Sequence, residues 1–317
     1  VKIVLWPRAD AARVEGFRAA YPRVEFVIAA TNEDVVREIA DADVYYGLPT
    51  REQYLAGKRL RWIQAPIAGI EFLQRVPELV ESDVVLTNAR GAHGATVAEH
   101  LFAMLLSLTR RIRFFEHARG CHAWLQEEGY HDAVGIAGLT LGIVGLGSIG
   151  RSIAKRGYGF DMRVLAVDAQ PVPAGEHVEA VWGLDHLDRL LAETDVLAIA
   201  APYTPQTRGM IGEQQIRRLR PGSYLLCISR GGIVDEPALI RALHDRHLAG
   251  AGLDVAATEP LPPTDPLWDA PNLIITPHCS NASSLTTELT WSIFFENVGH
   301  FVNGEPLRNV TDKRRGY

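Results

Sequence analysis

Four places in the 317-residue chain combine residue types that can do chemistry with a position at the end of an apolar run. The first is Gly145-Leu146-Gly147-Ser148-Ile149-Gly150, directly after Leu141–Val144. Between a strand and a helix, Gly145 permits a tight turn, Gly147 lets the backbone approach a pyrophosphate, and Gly150 lets the helix lie close on the strand. Amides near Ser148 and Ile149 then face the diphosphate with the helix dipole behind them. Asp168 follows the next apolar run, eighteen residues after Gly150, where a carboxylate can accept hydrogen bonds from ribose hydroxyls. The competing reading is a glycine-rich turn without a ligand. Ser148 is not a nucleophile elbow, since the window lacks the G-x-S-x-G order.

The second place is Ser229-Arg230-Gly231-Gly232-Ile233-Val234-Asp235-Glu236. An arginine at a strand end can clamp a carboxylate with two parallel hydrogen bonds, or it can be a structural partner of Asp235 or Glu236. The third is Gly252-Leu253-Asp254-Val255 with Glu259-Pro260 shortly after, and the fourth is Thr276-Pro277-His278. A histidine and a carboxylate at neighbouring strand ends suit a general acid charged by its partner. A satisfied structural histidine is the alternative. His93, His100, His117, His122 and His131 show no metal-ligand spacing, and Cys227 with Cys279 lacks the further ligands that zinc needs, so no metal is expected.

These positions need a sheet to bring them together. Lys2–Trp6, Glu25–Ala29, Val44–Leu48, Arg61–Ala65 and Val84–Asn88 read as strands, with helices starting near Asp10, Asn32 and Arg51. From Thr96 to about His117 the pattern predicts one long helix, apolar all round in its middle and therefore buried on every side. Alternation then resumes with Thr140–Val144, Arg163–Val167, Val196–Ala200, Tyr224–Ser229, Ala251–Val255 and Leu273–Thr276 as strands. Helices fit near Ser148–Tyr158, Asp185–Leu191, Gly212–Leu219 and Glu236–Arg246. Six strands with helical crossovers match a dinucleotide-binding doubly wound sheet. A last helix, about Ser283–Asn303, is expected to pack back on the first lobe.

Composition narrows the function classes. There are 32 basic and 38 acidic residues, a formal charge of −6, with 47% apolar residues, the mixture of an ordinary globular protein with ample core. That balance argues against a nucleic-acid partner, which wants a clustered basic face. Three cysteines are too sparse for a disulfide framework, and no apolar run reaches the ~18 residues of a membrane span. A cytoplasmic protein without membrane or nucleic-acid partners is expected.

Taken together, these motifs resemble those of the D-isomer-specific 2-hydroxyacid dehydrogenase family, which includes glyoxylate/hydroxypyruvate reductases and phosphoglycerate dehydrogenases. The carrying residues are Val97-Ala98-Glu99-His100, the glycine motif, Thr204–Ile211, Arg230–Glu236, Gly252–Val255, Glu259-Pro260 and Thr276-Pro277-His278. The resemblance implies an α/β protein of two Rossmann-like, doubly wound parallel-sheet lobes. A discontinuous substrate lobe would comprise residues 1–95 and 283–317, and a dinucleotide-binding lobe residues 96–282. It places the catalytic trio on Arg230, Glu259 and His278, and nicotinamide-side contacts at Ala201, Ile228, Asp254 and Ser280. Backbone amides of Ala68 and Gly69 would bind the substrate carboxylate.

The implied activity is interconversion of a small 2-keto acid and a D-2-hydroxy acid by hydride transfer, in a homodimer. The cofactor expected is NAD rather than NADP, because Ala169, Gln170 and Pro171 offer no cation beside Asp168 for a 2′-phosphate. A non-metabolic NAD-binding sensor, like the corepressors that share this fold, is compatible with the same residues. Cys227 stands where the family usually has Asn, and Cys279–Asn281 replace its common small apolar-Gly run. The chain ends soon after Asn309, so the C-terminal regulatory domain of many phosphoglycerate dehydrogenases is not expected. Glu259, where the formate dehydrogenase branch has Gln, disfavours that branch.

Overall fold

The computed structural model describes residues 1–7 and 9–314. The chain divides into two compact units, one from Val1–His93 and Ser283–Tyr317, the other from Gly94–Ala282. In chain order the first unit begins with β1 (Lys2–Leu5), α1 (Ala11–Ala20), β2 (Glu25–Ile28), α2 (Asn32–Glu38), β3 (Val44–Tyr46), α3 (Arg51–Ala56), β4 (Trp62–Gln64), α4 (Pro77–Val80) and β5 (Val85–Thr87). Its first three helices start where the sequence supplies caps. Asp10 accepts from the Ala12 amide, and Thr31 and Thr50 each form a reciprocal capping box.

The second unit opens with α5 (Gly94–Thr109), α6 (Ile112–Gly120) and α7 (Gln126–Asp132). Then come β6 (Thr140–Val144), α8 (Ser148–Gly159), β7 (Arg163–Asp168), β8 (Ala180–Gly183), α9 (Leu187–Glu193), β9 (Val196–Ile199) and α10 (Glu213–Arg218). It closes with β10 (Ser223–Cys227), α11 (Glu236–His244), β11 (Leu248–Leu253) and β12 (Leu273–Ile275). The chain then returns to the first unit as α12 (Ser284–Asn303).

Both sheets are parallel, with orders β2-β1-β3-β4-β5 and β12-β11-β10-β9-β6-β7-β8. Strands such as Ile3-Val4-Leu5 and Ile143-Val144 are wholly buried, as parallel sheets covered on both faces require. In the first unit, Trp291 and Phe294 of α12 pack on Tyr46 with ring centroids 5.0 and 4.3 Å away, so these aromatics are core. Asn297 anchors the same helix, its amide donating to Gln64 Oε1 at 3.0 Å.

Two expectations need correction. The single helix expected from Thr96 to His117 is broken after Thr109, because Arg111 adopts a left-handed conformation with φ of 55°. The Arg111 guanidinium donates to Glu128 O and Asp132, contacts that hold the turn where local propensity would continue the helix. Nor is that helix buried on every side, since Ala103 is exposed and Leu106 and Leu108 are only partly buried. Leu101 and Leu105 are 0% exposed, packed in a core with Ile153, Leu141 and Leu226. The second sheet also has a seventh strand, β8, a partly exposed edge whose Ala-Val-Trp-Gly gives little alternation.

Candidate active site

Register sets the geometry of the second unit's site. Val167, Val144, Ile199, Cys227, Leu253 and Ile275 are paired neighbours across six strands. The residues just beyond them therefore sit side by side, about 4.8 Å per strand, along one carboxyl edge. That edge carries Asp168, the glycine turn, Ala201, Ile228, Asp254 and the Thr276–Ser280 turn, in the order of the strands. The crevice outside these strand ends is where open α/β sheets bind ligands.

The glycine turn is built by close approach. Gly145, at φ +93°, lies against Ala201, and a Cβ there would stand 2.8 Å from the Ala201 backbone. A Cβ on Gly150 would stand 2.1 Å from the Gly145 carbonyl, so only glycine lets α8 rest on the turn. Gly147 differs, since a Cβ there meets no protein atom within 4 Å. It is exposed beside Ser148 at the start of α8, and no side chain caps that helix. The first-turn amides of α8, Ile149 among them, have no side-chain cap, and a helix start of that kind can hold an anion such as a pyrophosphate.

Asp168 is the last residue of β7, and its Oδ2 accepts from the Leu146 amide at 2.7 Å while Oδ1 accepts from the Gln170 amide at 2.9 Å. One carboxylate thus ties the glycine motif to the β7 end and keeps further lone pairs for ribose hydroxyls. Sequence reasoning missed Arg151, whose Nη2 donates to Pro173 O at 2.8 Å and so reaches the loop after Asp168 from α8. Arg163, at the opposite end of β7, is engaged by Glu179 and Glu193.

Glu259 and His278 meet. His278 Nδ1 donates to Glu259 Oε2 at 2.7 Å, and Glu259 Oε1 accepts from the Ala256 amide at 3.0 Å. Both side chains are about two-fifths exposed, at 43% and 38%. His278 has φ of 51°, a left-handed conformation that costs roughly 1–2 kcal/mol for a residue with a Cβ. Asp254 holds it there. Its backbone carbonyl accepts from the His278 amide at 2.8 Å, and its Oδ1 accepts from the Thr276 hydroxyl at 2.6 Å and the Cys279 amide at 3.0 Å. Asp254 Oδ2 accepts from the Ser280 amide at 2.9 Å.

Asp254 is 0% exposed, so its carboxylate shapes the histidine turn in addition to standing at the expected cofactor edge. The outer partner is His100 of α5, whose Nε2 donates to Thr276 Oγ1 at 2.9 Å. Among the described residues, His100, Asp254 and Cys279 place one ligand atom each within 4.8 Å of one another, a cluster that sequence spacing did not reveal.

Arg230 follows β10, with Nη1 donating to Ser229 O at 2.7 Å. Asp235, one of its candidate structural partners, caps α11 by accepting from the Ala238 amide. The next residue, Gly231, fits against the segment that carries Glu259, and a Cβ on it would stand 1.8 Å from Ala256 O. Buried Cys227 directs its thiol toward Arg230 O at 3.7 Å, and burial pushes that thiol up from its ordinary pKa. Ala68 and Gly69 lie in the first unit, in the loop after β4, where the Asn88 side-chain amide holds Ala68 O at 2.6 Å.

Comparison with known proteins gives four findings of one kind. Residues 102–280 match the family model for the D-isomer specific 2-hydroxyacid dehydrogenase, NAD binding domain. A glyoxylate reductase of Korarchaeum cryptofilum is 34% identical over 291 residues, 88% of this chain and 85% of that protein. A glycerate dehydrogenase of Methylorubrum extorquens is 32% identical over 310 residues, 95% of each chain. Among solved structures, a D-isomer specific 2-hydroxyacid dehydrogenase family protein from Aeromonas salmonicida superposes with a TM-score of 0.85 at 31% identity, covering 98% of this chain and 99% of that one.

Proposed function

The chain belongs to the D-isomer specific 2-hydroxyacid dehydrogenase family, and on that footing we propose that it interconverts a small 2-keto acid and a D-2-hydroxy acid with NAD(H). The observation that carries the reading is the Glu259–His278 pair, locked in place by Asp254 on the carboxyl edge of the dinucleotide-binding sheet. When bound, the nicotinamide supplies the hydride. With Nδ1 committed to Glu259, His278 Nε2 is the ring nitrogen that gives a proton to the keto oxygen during reduction and takes it back from the hydroxyl during oxidation. Glu259 orients the ring by accepting from Nδ1.

Arg230 binds the substrate carboxylate. Its fork has five donors, and the one placed on Ser229 O anchors it at the strand end. Ala68 and Gly69 of the first unit are proposed as a second carboxylate-binding element, on the resemblance alone. Gly145, Gly147, Ser148, Ile149 and Gly150 would take the pyrophosphate and Asp168 the ribose hydroxyls. Ala201, Ile228, Asp254 and Ser280 would frame the nicotinamide side. Asp168 supports NADH over NADPH, since a 2′-phosphate would meet a like charge.

A homodimer is part of the proposal. Its support is the exposed Trp124, at 90%, and Tyr130, at 73%, between α6 and the end of α7. Sedimentation as a monomer at micromolar concentration would contradict it. Among the described residues no helix is long and apolar enough to cross a membrane, and a cytoplasmic location is likewise proposed.

The test is a panel of glyoxylate, hydroxypyruvate, pyruvate and phenylpyruvate, assayed for NADH and NADPH oxidation. Turnover of at least one with NADH supports the reading. Cofactor binding without turnover of any would favour a sensor on the same fold.

A further inference from the structure

Two successive amides after β11 are held by carboxylates that come from different parts of the chain. The Ala256 amide donates to Glu259 Oε1 at 3.0 Å, and the Ala257 amide donates to Glu236 Oε1 at 2.6 Å. Between them, the Ala256 carbonyl rests against Gly231. Glu236 is the first residue of α11, but the capping of that helix falls to Asp235. Glu236 is half-buried, and burial together with the charges of Asp265, Asp235 and Glu259 pushes its carboxyl above the usual carboxylate range. A carboxylate among carboxylates is an unfavourable choice for stability alone. What it obtains there is the short hydrogen bond to Ala257.

The connectivity shows what that bond does. Arg230 and Glu236 bracket one short loop, while Ala256 and Glu259 bracket another. Gly231 and Glu236 meet the Ala256–Ala257 peptide from the first loop, and the adjoining Val255–Ala256 peptide presents the amide from which Glu259 Oε1 accepts. The other oxygen of Glu259 holds His278. We propose that Glu236 is a positioning residue: by holding the Ala257 amide it sets the Glu259–His278 pair relative to Arg230. The inference rests on the roles given above to Arg230, Glu259 and His278.

Glu236→Gln separates position from charge. Its side-chain carbonyl can still accept from Ala257, and its NH2 would face the acidic neighbours favourably. Glu236→Ala removes the acceptor. The experiment measures kcat and KM for the 2-keto acid with saturating NADH, the NADH Kd by fluorescence titration, and Tm. For Glu236→Ala the expected result is a kcat loss of about tenfold to hundredfold, the scale of a small misplacement of reacting groups, with KM and the NADH Kd within about threefold of wild type.

Glu236→Gln should recover most of kcat. In a Glu259→Ala background, where the side chain that joins the Ala256 amide to His278 is gone, Glu236→Ala should cost less than threefold more, since coupled sites are not additive. Wild-type kcat in Glu236→Ala overturns the inference. So does a Gln variant no better than Ala, or full additivity with Glu259→Ala. If the wild-type protein binds NADH but reduces no 2-keto acid, the reading of the trio fails first and takes this inference with it.

Discussion

Gly231→Ala is a sharp probe of how the two active-site loops are mated. Gly231 is not among the residues with positive φ, so alanine meets no backbone penalty and the effect is purely steric. Its Cβ would stand 1.8 Å from Ala256 O, 2.1 Å from Ala256 C and 2.6 Å from Ala257 N, all of them backbone atoms that cannot rotate away. Restoring even a 3.0 Å approach moves one loop by roughly 1.2 Å. Overpacking of that kind costs about 1–3 kcal/mol of stability. The larger consequence is kinetic, because a misplacement of about 1 Å between Arg230 and the Glu259–His278 pair is expected to lower kcat/KM about a hundredfold, or ~2.7 kcal/mol. The NADH Kd should change less than kcat/KM, since the glycine turn follows β6, which β10 and β9 separate from β11, and only the nicotinamide-side residues Ile228 and Asp254 adjoin the displaced loops. The assay is steady-state reduction of the best 2-keto acid at saturating NADH, with NADH titration and a thermal melt as controls. An alanine variant with wild-type kcat/KM and Tm would show that the loops are not mated as described.

Arg230→Lys should cost at least about a hundredfold in kcat/KM although it keeps the charge, because a point donor cannot reproduce a planar fork. Near wild-type kinetics in the folded variant would make Arg230 structural. Asp168→Ala should weaken NADH and narrow its advantage over NADPH, losing both the ribose acceptor and the grip on the Leu146 amide. A higher kcat/KM with NADPH in the wild-type enzyme would refute the role given to Asp168. The thiols of Cys227 and Cys279 are both pushed up in pKa, mainly by burial and for Cys279 also by Asp254, so each holds less thiolate at pH 8 than an ordinary cysteine. Iodoacetamide should therefore label Cys279 slowly, with a rate still climbing as pH rises past the ordinary thiol range, and should reach Cys227 only after unfolding. Mass-spectrometric detection of rapid Cys227 labelling in the native protein at pH 8 would contradict this.

Local pattern alone carried the sequence a long way. Short apolar runs marked the strands of both sheets because parallel strands covered on both faces have no polar side to interrupt them. The glycine spacing at 145, 147 and 150 was readable for the same kind of reason, since close approach and an open helix start depend on the absence of a Cβ at fixed offsets. The motifs also located Arg230, Glu259 and His278 at strand ends. Other features were decided by tertiary structure. The chain breaks its long helix at Arg111 because Glu128 and Asp132 reach it from a later segment, and no residue near Arg111 signals a stop. The edge strand β8 forms beside β7 without a marked pattern of its own.

Distant partners were equally hidden. Glu259 Oε2 reaches His278 across 19 residues, Asp254 organises the turn that holds His278, His100 supports that turn from α5, and Arg151 reaches the loop after Asp168. Each of these depends on strand register and on where a loop crosses its neighbour. Periodicity reports which face of an element is buried, and it carries no information about which side chain from another strand end arrives within hydrogen-bonding distance.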